Sequence, residues 1–167
     1  MKLYPDYYCK NVTEISLEFL KKNNIKGLIL DVDNTLIDKK KNMLEGAIEW
    51  HKKIRENENK SIILSNSNKL EKVRNVANTL NIDFINLAKK PLKSGFKKAK
   101  SKLELKEENI AVVGDQIFTD VIGANRCNMF SILVEPVSRE DLFITKWKRP
   151  IENYIIKKYL KSLENKS

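Results

Sequence analysis

The sequence is organised around Lys26-Gly-Leu-Ile-Leu-Asp31-Val-Asp33-Asn34-Thr35-Leu36. Its apolar run, Gly27 to Leu30, does not alternate with polar residues and therefore predicts a strand buried on both faces. Two aspartates one residue apart end that strand, where a carboxylate needs a metal, a hydrogen-bond donor or a proton to offset its desolvation. This placement favours a catalytic role. The alternative is a surface turn in which Asp33 or Asn34 caps a loop.

Strand-like and helix-like segments alternate through the rest of the chain. Four further strands are predicted, at Lys60–Ser65, Asp83–Leu87, Asn109–Asp115 and Phe130–Val134. Helices are predicted over Glu45–Glu58, with an inner face of Ala47, Ile48, Trp50, His51 and Ile54, over Leu70–Leu80, over Ser94–Leu103, and from an N-cap at Thr119 to Asn125 or Cys127. This alternation is typical of parallel strands joined by right-handed crossovers. The predicted fold class is therefore α/β, a three-layer sandwich around a parallel Rossmann-like sheet.

The two ends of the chain lie outside this alternation. Residues 1–12 hold a cluster of tyrosines, which we interpret as a docked or membrane-facing arm, and a short helix follows from Thr13 or Ser16. Near the C-terminus, Trp147-Lys148-Arg149-Pro150 precedes a helical apolar stripe of Ile151, Tyr154, Ile155 and Tyr159, which either covers the sheet or lies at a membrane interface. We predict one domain over 1–167, comprising an N-terminal arm and helix (1–26), a core (27–135) and a C-terminal basic helical segment (136–167).

Composition limits the class of protein. A chain of 167 residues, 41% hydrophobic and 32% charged, suits one globular domain. The net charge of +10 is concentrated in Asn86–Lys102, with seven lysines and no acid, and Thr145–Ser167, with seven basic residues and two acids. These two patches favour an anionic partner or surface. No apolar run approaches about 20 residues and the N-terminus lacks a signal-peptide core, so we expect a cytoplasmic protein with Cys9 and Cys127 reduced.

Polar residues follow the ends of the predicted strands. Asp31 and Asp33 follow the first strand, Ser65 the second, Lys90 the third and Asp115 the fourth. The carboxyl ends of parallel strands meet at one edge of a sheet, which is where ligands bind in such folds. The sequence therefore predicts one site at that edge, built from these five residues.

The same positions carry four motifs: Asp31-Val-Asp33-Asn34-Thr35, Ser65-Asn66, Lys90-Pro91 and Gly114-Asp115-Gln-Ile-Phe-Thr-Asp120. Their order and their strand-end placement resemble the haloacid dehalogenase superfamily of phosphohydrolases, from Gly27 to Val134. The resemblance implies a haloacid dehalogenase-like fold and hydrolysis of a phosphate monoester. Uncatalysed, this is among the slowest biological reactions, with accelerations of up to about 10²¹ required.

Catalytic and phosphate-binding roles follow from the resemblance residue by residue. Asp31 would be the nucleophile that forms an aspartyl-phosphate, and Asp33 would protonate the leaving oxygen and then activate water. Ser65 and the backbone amide of Asn66 would hydrogen-bond the phosphate, and Lys90 would neutralise the charge that grows on its oxygens.

A metal site is implied as well. Attack of a carboxylate on a phosphate must overcome repulsion of about 4 kcal/mol for unit charges about 4 Å apart at an effective dielectric of about 20. Mg²⁺ suits this task because it binds a few protein oxygens together with water and substrate phosphate. By resemblance its ligands would be Asp31, the backbone carbonyl of Asp33 and Asp115. Asp120 either reaches Lys90 or a metal-bound water, or serves as a helix-dipole partner.

The spacing between motifs bears on the substrate. From Leu36 to Ser65 is 29 residues and from Ser65 to Lys90 is 25, each filled by one helix and one strand. The superfamily inserts its cap domains in these intervals, so the chain looks capless. Together with Ala88-Lys-Lys-Pro-Leu-Lys-Ser-Gly-Phe96, the motifs resemble the YqeG-type branch, subclass IIIA, which is similar to phosphatidylglycerophosphate phosphatases.

That branch implies an anionic phospholipid partner. The expected reaction converts phosphatidylglycerophosphate to phosphatidylglycerol, with the protein peripheral at the inner face of the membrane and docked there through its basic patches. The alternatives are a phosphatase of nucleotides, nucleic-acid ends or phosphoproteins, and a binding module without catalysis. Nucleic acid is not the expected partner, and the presence of all four motifs argues against the binding module.

Overall fold

Six strands form one sheet in the computed structural model, which describes residues 2–138 and 149–164. In chain order the strands are β1 (Tyr7–Cys9), β2 (Gly27–Leu30), β3 (Lys60–Leu64), β4 (Asp83–Ile85), β5 (Ile110–Gly114) and β6 (Phe130–Val134). Across the sheet they lie in the order β1-β6-β5-β2-β3-β4, and each neighbouring pair is parallel. The predicted parallel sheet is confirmed, and β2, which leads into the two aspartates, lies inside it.

Helices alternate with these strands. Those of the described residues are α1 (Leu17–Lys22), α2 (Ala47–Glu56), α3 (Leu70–Leu80), α4 (Lys93–Leu103), α5 (Ile122–Arg126) and α6 (Arg149–Glu164). A turn of π-helix, Ile117–Val121, runs directly into α5. Of the two predicted starts of α1, Ser16 is the N-cap, because its side chain accepts a hydrogen bond from the Phe19 N–H at 3.0 Å.

The core lies on both faces of the sheet. Leu28 and Leu30 of β2 pack on one side, in a cluster with side chains of α1, α2 and α3. Ile29 points to the other side, where Phe96 of α4 and Ala124 of α5 pack against it. Both faces of β2 are fully buried, as its continuous apolar run predicts. Helices on both sides of a parallel sheet make the predicted three layers.

The N-terminal arm differs from its prediction because it contains a strand. β1 pairs in parallel with β6, with Tyr7 opposite Ile132, and the Asp6 carboxylate accepts the backbone N–H and the hydroxyl of Ser131 at 2.8 and 2.9 Å. The arm is thus docked as an edge strand. Three residues are too few to show the alternation that would have identified a strand in the sequence.

Two helices also differ from their predictions. Thr119 is not the N-cap of α5 but lies within the π-turn, in which the backbone N–H groups of Asp120 and Val121 both donate to the Gln116 carbonyl, at 3.0 and 3.3 Å. In α2 the predicted inner face is correct except for Ile48, which is exposed. One residue of an amphipathic set commonly falls at the margin of the buried stripe.

The predicted apolar stripe of α6 is divided between the core and the surface. Ile155 is buried in a small cluster with Ile117 and Leu133, whereas Ile151 and Tyr154 are exposed. The helix therefore covers part of the sheet and keeps a second apolar face outside. Within the described residues no helix is both long and apolar enough to cross a membrane. Trp147 and Lys148, which were assigned to the same segment, lie outside the described residues.

Candidate active site

The turn after β2 separates its two aspartates. The Asp31 N–H still bonds to the Val113 carbonyl of β5 at 2.9 Å, which holds Asp31 in the sheet. The next carbonyl, of Val32, accepts the N–H groups of Thr35 and Leu36 at 3.2 and 3.0 Å and so closes a tight turn. The carboxylate of Asp31 is buried beneath this turn, whereas that of Asp33 is half exposed.

Lys90 lies at the centre of the site. Its ammonium contacts a carboxylate oxygen of Asp31 and one of Asp120, each at 2.6 Å, and all three side chains are almost fully buried. The second carboxylate oxygen of Asp31 accepts the Thr35 hydroxyl at 3.2 Å. Lys90 reaches this position although 59 residues separate it from Asp31, because the loop after β4 ends at the same edge of the sheet.

Asn66 holds the backbone of Lys90 in place. Its side-chain oxygen accepts the Lys90 N–H at 2.7 Å, and its side-chain NH₂ donates to the Lys90 carbonyl at 3.1 Å. Ser65, one residue earlier, is buried, and its hydroxyl accepts the Ser67 N–H at 3.1 Å. Asn66 therefore contacts the site through the Lys90 backbone, and Ser65 precedes it directly in the chain at the end of β3. The positioning contact of the Asn66 side chain was not predicted.

Asp120 enters the site through close packing on Gly114. A Cβ at position 114 would overlap the Asp120 carboxyl group, so β5 must end in glycine for this approach. The second oxygen of Asp120 accepts the Gln116 N–H at 3.2 Å and the Thr119 hydroxyl at 3.3 Å. Of the two predictions for Asp120, the contact with Lys90 is what the structure contains.

Three buried carboxylates form a candidate metal site. One oxygen each from Asp31, Asp115 and Asp120 lie within 4.8 Å of one another. With Lys90 as the neighbouring cation, the group retains a net negative charge when ionised, and buried charge of one sign requires compensation. Clustered carboxylate oxygens are the donors that a hard divalent cation binds. These residues therefore fit a divalent metal ion.

This cluster differs from the predicted ligand set in one member. Asp31 and Asp115 were expected as metal ligands and lie in it, and Asp120 joins them. The carboxylate of Asp33 lies outside the cluster and pairs instead with the ammonium of Lys72. The prediction for Asp33 concerned its backbone carbonyl, so that prediction stays open.

The electrostatic environment raises the pKa values of two groups in the site, for different reasons. Burial raises the pKa of the Asp31 carboxyl to about 6, although the Lys90 ammonium acts to lower it. Burial would lower the pKa of Lys90, but Asp120 and Asp31 outweigh burial and raise it. Lys90 is therefore a permanent cation. Its charge favours ionised Asp31, and ionisation is a requirement for a carboxylate nucleophile.

Two residues, Lys72 and Glu152, and one role, that of the Asn66 side chain, were not predicted from the sequence. Lys72 lies in the first turn of α3, which begins shortly after Ser65. Its position near the edge of the sheet was the feature of the sequence that could have indicated its contact with Asp33. For Asn66 the prediction concerned only a hydrogen bond from its backbone amide to phosphate, and not the contact of its side chain with Lys90. Glu152 of α6 is buried and accepts the Phe118 N–H of the π-turn at 3.2 Å, and no local pattern indicates that long-range contact.

A family model described as Mitochondrial PGP phosphatase matches this chain over residues 1–138. Probable phosphatase YqeG of Bacillus subtilis (strain 168) is 41% identical to it over 153 residues, which are 91% of this chain and 88% of that protein. Phosphatidylglycerophosphate phosphatase 1, chloroplastic/mitochondrial, of Arabidopsis thaliana is 27% identical over 169 residues, covering 94% of this chain and 48% of that protein.

Solved structures share the fold. The p-nitrophenyl phosphatase from Archaeoglobus fulgidus aligns with a TM-score of 0.54 over 71% of this chain and 90% of that chain, at 17% identity. An identity this low supports the architecture alone. The two proteins therefore share their overall fold over the aligned part of the chain.

Proposed function

Since the chain belongs to the mitochondrial PGP phosphatase family, within the haloacid dehalogenase superfamily of phosphatases, we propose that it removes the terminal phosphate of phosphatidylglycerophosphate. The reaction would proceed through an aspartyl-phosphate on Asp31 and depend on Mg²⁺. One observation carries this mechanism: a buried lysine, Lys90, bridges the carboxylates of Asp31 and Asp120 at 2.6 Å each.

In the first half-reaction a carboxylate oxygen of Asp31 forms a bond to phosphorus, and the bond from phosphorus to the glycerol oxygen breaks. Protonated Asp33 gives its proton to that oxygen, so the lipid alcohol leaves neutral. Asp33 suits this role because its carboxyl group is half exposed and lies one residue from the nucleophile.

In the second half-reaction water attacks phosphorus and gives a proton to the ionised Asp33. The bond from phosphorus to the Asp31 oxygen breaks, inorganic phosphate leaves, and both carboxyl groups return to their starting states. Using one group as acid and then as base requires a position that both the lipid alcohol and water can reach. The contrast between buried Asp31 and half-exposed Asp33 supports this division of labour.

Charge on the phosphate is neutralised from two directions. Lys90 can turn from Asp31 to the phosphate oxygens while Asp120 still contacts its ammonium. The Ser65 hydroxyl and the backbone N–H of Asn66 can donate hydrogen bonds to the same oxygens. Asp31, Asp115 and the Asp33 backbone carbonyl would hold Mg²⁺. The ion would supply Lewis-acid stabilisation of charge on the transferring phosphate.

The lipid substrate is supported by the relatives and by the shape of the chain. The Arabidopsis thaliana relative is named for phosphatidylglycerophosphate, and the YqeG relative for phosphatase activity only. Between Leu36 and Ser65, and between Ser65 and Lys90, the structure contains loops with one helix and one strand each, so neither of these two fully described intervals holds a cap domain. We propose that the protein acts peripherally at an anionic membrane surface, on the cytoplasmic side.

The test is phosphate release from phosphatidylglycerophosphate in mixed detergent micelles, with and without Mg²⁺. A nucleoside monophosphate and a phosphopeptide serve as competing soluble substrates. Mg²⁺-dependent release from the lipid, at least tenfold faster than from either soluble compound, is the expected result. Release from the soluble compounds alone would discard the lipid substrate and leave the catalytic assignment intact.

A further inference from the structure

Exposed leucines lie in the segments that follow two strands of the sheet, close in the chain to residues of the site. Three of the large apolar side chains that the structure leaves exposed follow β3 and β4: Leu70, Leu87 and Leu92, exposed by 40%, 56% and 49%. Each lies within two residues of an exposed lysine. We call these six residues the rim; they are Lys69, Leu70, Leu87, Lys89, Leu92 and Lys93.

The rim lies at the same edge of the sheet as the buried site. The loops after β3 and β4 are tied together, since the Leu87 N–H donates to the Ser67 carbonyl at 3.3 Å and the Ala88 N–H to the Ser65 carbonyl at 3.0 Å. The second of these loops also carries Lys90, whose ammonium contacts Asp31. The rim therefore belongs to the same loops that supply residues of the buried site.

Two rim leucines occupy positions where the backbone favours a different residue. Leu87 has φ of 50°, a left-handed conformation that bulky side chains rarely adopt and that asparagine tolerates better. Leu92 is the N-cap of α4 and makes no side-chain capping bond, where serine, aspartate or asparagine is preferred. Neither leucine is buried, so packing does not explain the choice. Both leucines therefore leave apolar surface available to a partner.

The rim lysines are available for an external anion. Among the described residues no carboxylate lies within ion-pair distance of Lys69, Lys89 or Lys93. Lys100 and Lys102, near the far end of α4, are instead paired with Glu107 and Asp83. Within the basic patch predicted over Asn86–Lys102, the exposed lysines beside the site, Lys89 and Lys93, thus carry uncompensated charge among the described residues, whereas Lys100 and Lys102 are neutralised.

We propose that the rim is a docking surface for an anionic lipid bilayer, with the leucines entering the headgroup region and the lysines contacting the lipid phosphates. Exposed apolar side chains interleaved with unpaired cations are the combination that binds such an interface. A nucleic acid would use the lysines but gain little from leucines, which offer no stacking surface. The proposal rests on the proposed lipid substrate, and it assigns membrane contact to the rim rather than to α6.

The test is sedimentation of the full chain with vesicles of equal parts phosphatidylglycerol and phosphatidylcholine. The variant Leu87→Asn/Leu92→Ser removes apolar surface from the rim. It places at each position a residue that the local backbone conformation favours. Leu163→Asn is the control. Leu163 is an exposed leucine near the end of α6, far along the helix from Glu152, which contacts Phe118. We expect the rim variant to bind about tenfold more weakly or worse, and the control to bind as wild type.

A charge-matched pair tests the lysines. The rim variant Lys69→Gln/Lys89→Gln/Lys93→Gln should lose roughly fivefold in vesicle affinity per lysine, whereas Lys157→Gln/Lys158→Gln/Lys161→Gln on α6 should lose much less. Three results would overturn the proposal: wild type that does not sediment with the vesicles, rim variants that bind normally, or a loss confined to the α6 variants. A loss caused by the lysine changes but not by the leucine changes would indicate a polyanion site instead, and would also overturn it.

Hydrolysis of p-nitrophenyl phosphate separates this proposal from the proposed function. The rim leucine variant should keep wild-type rates on that soluble ester, because none of its changes touches the buried residues. If wild type binds vesicles through the rim but does not hydrolyse phosphatidylglycerophosphate, the substrate assignment fails and the docking surface stands. If wild type hydrolyses the lipid in micelles but the rim changes leave vesicle binding unaltered, the substrate assignment stands and the docking surface fails.

Discussion

The buried site and the rim lie at one edge of the sheet and depart from ordinary protein chemistry in opposite ways. In the site, Asp31, Lys90 and Asp120 place charge where apolar side chains normally lie. In the rim, Leu87 and Leu92 place apolar surface where charge normally lies. Neither arrangement is what stability alone would select, and both lie at the edge of the sheet where the strands end, which is why we propose that one serves catalysis and the other docking.

The largest effect should come from Asp31→Asn. Removing the nucleophile should reduce kcat by about 10⁴-fold or more on both the lipid and p-nitrophenyl phosphate, because no other group can form the covalent intermediate. Steady-state phosphate release measures this change. Asp38→Asn, an exposed carboxylate bonded to Asn42, is the control and should behave as wild type. Comparable losses in both variants would refute a specific role for Asp31.

Lys90→Gln should reduce kcat/KM by about 10²- to 10³-fold, since it removes a preorganised cation from the phosphate site. It also leaves buried carboxylates without compensation, so with EDTA present the free energy of unfolding should fall by about 3 kcal/mol, with partial recovery in Mg²⁺. Urea denaturation and the p-nitrophenyl phosphate assay measure the two effects. Lys89→Gln, the exposed neighbour, should change neither, and a similar loss there would contradict the distinction between buried site and rim.

Lys72→Gln should have an intermediate effect. Its ammonium fixes the half-exposed Asp33 carboxylate, so we expect kcat to fall by about tenfold with KM for p-nitrophenyl phosphate little changed. The control is Arg74→Gln, an exposed cation on the same helix. Equal losses in the two variants would mean that the positive charge of α3, and not the contact with Asp33, is what matters.

The smallest effect, and one of opposite sign, is expected for Leu92→Ser alone. A serine N-cap should raise the free energy of unfolding by about 1 kcal/mol. The corresponding rise in Tm is about 2–4 °C. Thermal denaturation followed by circular dichroism measures it, with Leu163→Asn as the control. A destabilised Leu92→Ser variant would show that this leucine serves the fold and would remove one support for the rim.

What the sequence revealed depended on how local each signal is. Buried strands such as Gly27–Leu30 and Phe130–Val134 were predicted with their observed bounds, because a continuous apolar run is a property of the segment itself. From their placement at strand ends, Asp31, Ser65, Lys90 and Asp115 were predicted to lie at one edge of the sheet. These predictions needed only the topology of a parallel sheet.

The features that were not predicted from the sequence depend on contacts between segments that are distant in the chain. β1 is a strand only because β6 offers it an edge, and Glu152 reaches the π-turn from α6 across 34 residues. Thr119 lies in a π-turn and not at a helix N-cap, and the neighbouring Asp120 packs against Gly114, a contact that the local sequence does not reveal. Ile48 is exposed because α2 buries a narrower stripe than its apolar residues suggest.

The most direct test of the central claim is chemical identification of the covalent intermediate. The protein is mixed with phosphatidylglycerophosphate and Mg²⁺, quenched in acid and reduced with borohydride, which converts an aspartyl-phosphate to homoserine. Mass spectrometry of the peptide containing Asp31 and Asp33 then locates the change. The account predicts homoserine at position 31 and none at position 33; modification at Asp33 or Asp115, or none during active turnover, would contradict it.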